Sequence, residues 1–134
     1  MNAVIDASAW LRYVLQDGPA CETVDLALQS CRGGLIGLHA PHHFAAEVAH
    51  VLHRLRLTGR LTSNQAASQL DCMLLMPICY HPVPNLVPAA SGLAWTHRLS
   101  VYDALYLALA IGCGARLLTA DDALARAASR EGCA

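Results

Sequence analysis

The chain has 134 residues, enough to bury one hydrophobic core, and we expect a single domain over residues 1–134. Apolar residues make up 55% and charged residues 14%, with a net charge of −1. This balance excludes an intrinsically disordered chain, which requires low hydrophobicity and high net charge. No run approaches the roughly 18 uninterrupted apolar residues of a membrane span, and the first residues lack the basic region of a signal peptide. We therefore expect a cytoplasmic protein with no membrane partner.

The apolar periodicity and the turn signals predict four strands and seven helices. In chain order they are a strand at 3–6, helices at 7–16 and 20–30, a strand at 35–38, helices at 41–57 and 63–76, a strand at 78–83, helices at 86–99 and 101–111, a strand at 116–119 and a helix at 120–130. Asp17-Gly18-Pro19 is typical of a turn between the first two helices. Strands that alternate with helices in this way predict an α/β fold, with a parallel sheet covered on both faces.

Four of the ten acidic residues lie either in an apolar segment, where a charge is costly to bury, or at the end of a strand, where it points to one edge of the sheet. Asp6 ends the first predicted strand, and Asp121 comes just after the fourth. Because ligands bind at the carboxyl ends of the strands in open parallel sheets, both acids should reach the same edge. Asp103 lies in an apolar helix with no basic residue three or four positions away, although an unpaired buried carboxylate is expensive. A positive partner for Asp103 must therefore come from elsewhere in the fold.

The fourth acid, Glu47, lies at the edge of the apolar stripe of its predicted helix. At about 100° per residue, that stripe consists of Phe44, Val48, Val51, Leu52 and Leu55. The outer flank carries the basic residues His43, His50 and Arg54. The pattern predicts a half-buried carboxylate with basic side chains leading away to solvent.

Each acid also has a purely structural interpretation, as a helix cap or as half of an ion pair. The capping candidates are Asp6, Asp103 with Ser100, and Asp121 beside a box formed by Thr119 and Asp122. Glu47 would pair with His50 or Arg54. Taken together, two acids at strand ends and two helical acids beside an apolar face indicate one acidic pocket. Carboxylate oxygens without His or Cys are ligands of Mg²⁺ or Mn²⁺, and Mg²⁺ keeps waters that leave room for a phosphate oxygen and an attacking water.

Four segments resemble the motifs of the PIN-domain family, and especially those of VapC-type toxins from toxin–antitoxin pairs. They are Val4-Ile-Asp6-Ala-Ser8-Ala-Trp10, Ala40-Pro41 with Glu47-Val48, Leu99 to Ala110 around Asp103, and Leu117-Leu-Thr-Ala-Asp121. The segments occur in the family's order and cover the chain from Val4 to about Ala128. The resemblance implies a three-layer α/β/α sandwich with a short central parallel sheet. It also implies an endoribonuclease that depends on Mg²⁺ or Mn²⁺.

The resemblance assigns roles by position. The catalytic and metal-binding acids are Asp6, Glu47, Asp103 and Asp121, and Ser8 and Thr119 match hydroxyl positions that support the site. Asp122 is an extra acid beyond the family's usual set, expected to assist Asp121 or to substitute for it. The candidates for RNA contact, His43, His50 and Arg54, follow instead from their place on the flank of Glu47. Family members are commonly homodimers, and the toxins are held inactive by a small antitoxin protein. A final edge strand would lie at Gly132-Cys133-Ala134, and we expect it to be stunted or absent.

Other interpretations fit the sequence less well. A zinc or iron site on the helix of His43, Glu47 and His50 would need a second Glu-x-x-His pair, which the sequence lacks; we expect the histidines of this region to face solvent or RNA. Gly112-x-Gly114 precedes a strand, whereas a dinucleotide-binding loop follows one. The six cysteines have no C-x₂-C spacing, and we expect them to be buried and to behave as small hydrophobic residues. A catalytically weak PIN fold that binds RNA or protein stays as the alternative function.

Overall fold

The computed structural model describes residues 1–18 and 20–134. Pro19, the last residue of the predicted Asp17-Gly18-Pro19 turn, lies outside the described residues. The described strands are β1 (Asn2–Ile5), β2 (Gly37–Pro41), β3 (Ile78–His81) and β4 (Arg116–Leu118). The described helices are α1 (Ala7–Leu15), α2 (Ala20–Arg32), α3 (His43–Leu57), α4 (Ser63–Leu75), α5 (Val83–His97), α6 (Val101–Cys113) and α7 (Asp122–Arg130).

The four strands form one parallel sheet in the order β3-β2-β1-β4, with helices on both faces. This arrangement confirms the predicted three-layer α/β/α sandwich. β1 is an inner strand, and its Val4 and Ile5 are fully buried. It pairs with β2 from Asn2 opposite Gly37 and with β4 up to Ile5 opposite Leu118. The carboxyl ends of β1 and β4 therefore lie side by side.

Helix α6 is the most deeply buried helix of the sandwich. It packs against β1, β2 and β4 on one side and against α5 on the other, and all seven residues from Ala104 to Ala110 are buried. A helix that is apolar on every side is stable only in such surroundings. On α1, Trp10 is fully buried and packs edge-to-face on Phe44 of α3, with 6.5 Å between the ring centroids. No helix in the described ranges is long and apolar enough to cross a membrane.

The predicted limits of two strands and of the helices that follow them are wrong, in both cases near prolines. The second strand was expected at residues 35–38 and the next helix from Pro41, but β2 runs from Gly37 to Pro41 and α3 begins at His43. Pairing with β1 and β3 at once fixes this register, and it outweighs the preference of Pro41 for a helix start. Likewise β3 ends at His81 and α5 begins at Val83, because Pro82 and Pro84 favour the beginning of a helix.

The cysteine prediction is only partly confirmed. Cys31 and Cys133 are buried and Cys113 is half-buried, but Cys72 and Cys79 are exposed. Cys79 lies on β3, which is at the edge of the sheet. At the other edge, the backbone N–H of Leu117 donates to the carbonyl of Cys133 at 2.7 Å, and the described residues contain no fifth strand beyond β4.

Candidate active site

The carboxylate of Asp6 lies at the carboxyl end of β1 and is only 4% exposed. One of its oxygens accepts hydrogen bonds from the Ser8 hydroxyl at 2.7 Å and from the Ala9 backbone N–H at 2.8 Å, and the other accepts from the Thr119 hydroxyl. Asp6 therefore caps α1 and faces β4 at the same time. Burial raises its pKa from 3.8 to about 6, although the three hydrogen bonds lower it and nearby Asp103 raises it further.

The two hydroxyl residues expected to support the site both contact Asp6. The Ser8 hydroxyl also accepts from the Ala120 backbone N–H at 2.9 Å, and the Thr119 hydroxyl accepts from the Asp121 N–H at 3.1 Å. These bonds fix the loop after β4 against the loop after β1. The predicted capping box of Thr119 and Asp122 is wrong, because Asp121 caps α7 by accepting from the Leu124 N–H at 2.8 Å. Thr119 is drawn to the buried Asp6 instead.

Glu47 is held by two ring residues. One of its oxygens accepts a hydrogen bond from the Tyr106 hydroxyl at 2.8 Å and lies 2.9 Å from Nε2 of His43. The ring N–H of His43 is not aligned for a hydrogen bond, and the contact is electrostatic. Burial raises the pKa of Glu47, but the contacts with His43 and Tyr106 outweigh it and hold the pKa below its ordinary value. The predicted partners His50 and Arg54 do not contact the carboxylate.

The structure corrects the position predicted for His43. Its side chain is only 16% exposed, and its ring packs against Tyr106 with 4.8 Å between the centroids. His43 is therefore a neighbour of Glu47, one turn before it on α3, and does not lie on an outer flank. His50 and Arg54 are exposed on the same helix, as expected. His39, also expected to face solvent, is half-buried against His81.

Asp103 and Asp121 complete the acidic edge. Asp103 is half-buried in the first turn of α6, where the Ser100 hydroxyl accepts from its backbone N–H at 3.1 Å. Burial raises the pKa of Asp103, and the charges of Asp121 and Glu47 add to the increase. The extra acid Asp122 is exposed in the first turn of α7, and the described hydrogen bonds include none to its side chain.

The predicted acids thus face one another across the carboxyl edge of the sheet. Within the described ranges, no three of them bring ligand oxygens within 4.8 Å of one another. None of the ion pairs among the described residues involves Asp6, Asp103 or Asp121. These ion pairs are Arg12–Asp17, His43–Glu47 and His97–Glu131. Carboxylate oxygens are ligands of hard cations, and Mg²⁺ keeps several waters and takes only one or two carboxylates directly.

Tyr106 is the site residue that the sequence analysis missed. It is 1% exposed, and burial followed by the charge of Glu47 raises its pKa far above the ordinary value. Asp6 and Asp103 add to that increase, which puts the hydroxyl among three of the acids. The available signal was a tyrosine three residues after Asp103 in an otherwise apolar helix. A buried tyrosine hydroxyl usually needs a hydrogen-bond partner.

Comparison with known proteins identifies the family of the chain. The family model described as "PIN domain" matches residues 3–130. Ribonuclease VapC3 of Mycobacterium tuberculosis is 35% identical over 128 residues, which are 94% of this chain and 87% of that one. Ribonuclease VapC3 of Pyrobaculum aerophilum is 31% identical over 127 residues, or 93% of each chain.

Solved structures share the fold. The crystal structure of PAE2754 from Pyrobaculum aerophilum superposes with a TM-score of 0.71 at 21% identity, covering 95% of this chain and 84% of that one. VapC20 of Mycobacterium tuberculosis, described as a sarcin-ricin loop cleaving toxin, gives a TM-score of 0.65 at 17% identity over 93% and 94% of the two chains. At these identities the likeness concerns the fold alone. The family match and the curated relatives together place this chain in the PIN-domain family.

Proposed function

We propose that this protein is an endoribonuclease that depends on Mg²⁺ or Mn²⁺ and acts as the toxin of a toxin–antitoxin pair. One observation carries the proposal: the carboxylate of Asp6 is buried at the carboxyl edge of the sheet, faces Asp103, and has no cationic partner among the described side chains. A buried charge without a partner is expensive, so a bound cation accounts for its presence. The similarity to VapC ribonucleases supports RNA as the substrate.

Asp6 and Asp103 are the proposed principal ligands, and Glu47 and Asp121 the acids that position a second ion or the attacking water. A divalent cation at this site would polarise the scissile phosphate and lower the pKa of a bound water. The chain's own residues fix the ligands. Ser8 and Thr119 orient Asp6, whereas Tyr106 and His43 hold Glu47 ionised toward the pocket. We assign His43 to this positioning role and leave contact with the RNA backbone to His50 and Arg54.

Metal removal tests the proposal directly. EDTA is expected to stop cleavage of RNA, and Mg²⁺ or Mn²⁺ alone is expected to restore it, because the ion pairs of the described residues give Asp6, Asp103 and Asp121 no cation that could hold a phosphate beside them. Circular dichroism of the chelated protein serves as the control for folding. Cleavage that continues after chelation would contradict the metal-dependent mechanism. A protein that binds RNA but never cleaves it would favour the alternative, a catalytically weak PIN fold used for binding.

Arg54→Ala is expected to weaken RNA binding without slowing the saturated reaction. Arg54 is exposed on α3, seven residues or two turns beyond Glu47, where its guanidinium can reach the backbone of a bound RNA. Loss of one phosphate contact raises KM with kcat near wild type, and it reduces the slope of log affinity against log salt by about 0.7 for single-stranded RNA. Single-turnover cleavage across salt concentrations measures both effects, with Arg32→Ala on α2 as the matched control. A large fall in the saturated rate at unchanged affinity would instead make Arg54 part of the catalytic machinery.

The exposed apolar surface supports protein partners. On α5, Val87 is 41% and Trp95 85% exposed, two turns apart on one face, and Leu75 at the end of α4 is 84% exposed. Large apolar side chains left this exposed are candidates for an interaction site. We propose a homodimer and a small antitoxin protein as the partners, and cytoplasmic RNA as the target. Light scattering at micromolar concentration tests the homodimer, and a monomer would exclude it.

A further inference from the structure

A second cluster of metal-ligand side chains lies away from the acidic edge. His39 of β2, His81 of β3 and Cys113 of α6 are each half-buried, and their ligand atoms all lie within 4.8 Å of one another. Nδ1 of His39 is 2.9 Å from Nε2 of His81, and the two rings are 5.1 Å apart between centroids. The proposed nuclease reaction uses none of these residues.

The register of the sheet brings the cluster together. β2 and β3 pair with His39 opposite Cys79 and Pro41 opposite His81. Since side chains alternate between the faces of a strand, His39, Cys79 and His81 share one face. Helix α6 packs against β2, and its last residue, Cys113, approaches that face. Cys79, opposite His39 in the register, is an exposed thiol on the same face of the sheet.

The chemistry of these side chains differs from that of the acidic edge. Imidazole nitrogen and thiolate sulfur are the ligands of Zn²⁺, whereas carboxylate and water oxygens suit Mg²⁺ or Mn²⁺. Two nitrogens on a tetrahedral Zn²⁺ stand about 3.3 Å apart, from Zn–N bonds of about 2.0–2.1 Å. The observed 2.9 Å between His39 and His81 requires only a small separation of the rings. The ring-to-ring hydrogen bond is the alternative explanation of that distance.

We propose that His39, His81 and Cys113 form a structural Zn²⁺ site, with the thiolate of Cys79 as the fourth ligand. The site joins the edge strand β3 to the buried helix α6. Cys113 lies ten residues beyond Asp103 on that helix, or about 15 Å at 1.5 Å per residue. The protein therefore holds two different kinds of metal, a hard ion at one end of α6 and a soft one at the other.

Titration of the reduced, metal-free protein with Co²⁺ tests the proposal, because Co²⁺ reports its ligands in its spectrum. We expect a sulfur-to-cobalt charge-transfer band and the visible bands of tetrahedral Co²⁺, saturating at one equivalent and displaced by Zn²⁺. Asp103→Asn is expected to give the same spectrum, which separates this site from the nuclease site. Absence of the sulfur band in the wild-type protein, or its loss in Asp103→Asn, would overturn the proposal.

Single substitutions identify the ligands. Cys113→Ser is expected to lose the sulfur band of its thiolate and to bind Co²⁺ at least about 10-fold more weakly, since even the loss of an outer partner costs about that much. Cys79→Ser should lower the band intensity by about half. Cys72→Ser, which removes an exposed thiol on α4, is the matched control and should change nothing. If Cys113→Ser gives the wild-type spectrum, the proposed site is wrong. If Cys79→Ser gives the wild-type spectrum, Cys79 is not a ligand.

Alkylation of the wild-type protein gives a readout that does not depend on the folding of any variant. With Zn²⁺ bound, Cys113 and Cys79 are expected to be protected from iodoacetamide, while Cys72 reacts as fast as without metal. Peptide mapping by mass spectrometry measures each cysteine separately. Equal modification of Cys113 with and without Zn²⁺ would refute the proposal.

Discussion

Asp103→Asn is expected to abolish RNA cleavage while leaving the protein folded. The substitution removes a proposed metal ligand, and the expected loss is at least about 100-fold, because the loss of an outer-sphere partner of a metal ligand already costs about 10- to 100-fold. The helix start survives, since the Ser100 hydroxyl caps α6 through the backbone N–H of residue 103. Removal of the charge also relieves the repulsion from Asp121 and Glu47 that raises the pKa of Asp103. We therefore expect the metal-free variant to melt at or above the temperature of the wild-type protein.

The controls for this experiment come from the same chain. Asp71→Asn neutralises an exposed acid on α4 and should alter neither activity nor stability. Asp6→Asn should also eliminate cleavage, but at a cost of about 1–3 kcal/mol in folding, because an amide cannot accept all three hydrogen bonds that the carboxylate accepts. If Asp103→Asn cleaves RNA at the wild-type rate with matched metal, the site assignment is wrong.

The metal-free protein is expected to lose stability as the pH rises from about 4 to about 6. The pKa of Asp6 is raised in the folded state to about 6, from an ordinary value of 3.8. The folded protein therefore holds this proton more tightly than the unfolded chain, and the stabilisation is complete below the ordinary pKa and lost above the raised one. Two pKa units correspond to about 3 kcal/mol. Half-buried Asp103, whose pKa is also raised, acts in the same direction.

Urea unfolding of the wild-type protein and of Asp6→Asn across this pH range isolates the contribution of Asp6. The difference between their free energies of unfolding should fall by about 3 kcal/mol from pH 4 to pH 7. Glu47 has the opposite effect on the pH dependence of stability. Its pKa is lowered in the folded state, so its ionised form stabilises the fold, and that stabilisation is lost only as the pH falls through the lowered pKa. A difference that does not vary with pH would contradict the burial of an ionised Asp6. Added Mg²⁺ or Mn²⁺ should raise the melting temperature more at pH 7 than at pH 5, where proton binding competes with the metal.

The four acids were predictable from the sequence because local rules place them. Strand ends at one edge of a parallel sheet locate Asp6 and Asp121, and the helical period predicted that Glu47 would be half-buried beside the apolar stripe. The same rules also identified Asp6 as a cap. Asp6 both caps α1 and belongs to the proposed site, so the structural and the functional interpretations of this residue are not alternatives.

The contacts that hold the acids were less predictable, because they join residues far apart in the chain. Tyr106 meets Glu47 across 59 positions, and no local pattern pairs a helix α6 residue with one on α3. His43 was expected on an outer flank because a helical projection of α3 alone ignores α6, whose Tyr106 covers that ring. Thr119 was expected to cap α7 for the same reason, since its actual partner lies 113 positions away.

The hydrogen bond between Thr119 and Asp6 also has a consequence for how the protein is synthesised. Its two residues are 113 positions apart, and β4, which supports Thr119, is the last strand of the sheet to leave the ribosome. At about 5–20 residues per second, the 113 residues between them are synthesised in about 6 to 23 s. During that time the inner strand β1 has one unpaired side, and the acidic edge lacks Asp121 as well. The proposed site is therefore incomplete on the nascent chain until β4 and the residues after it have been made.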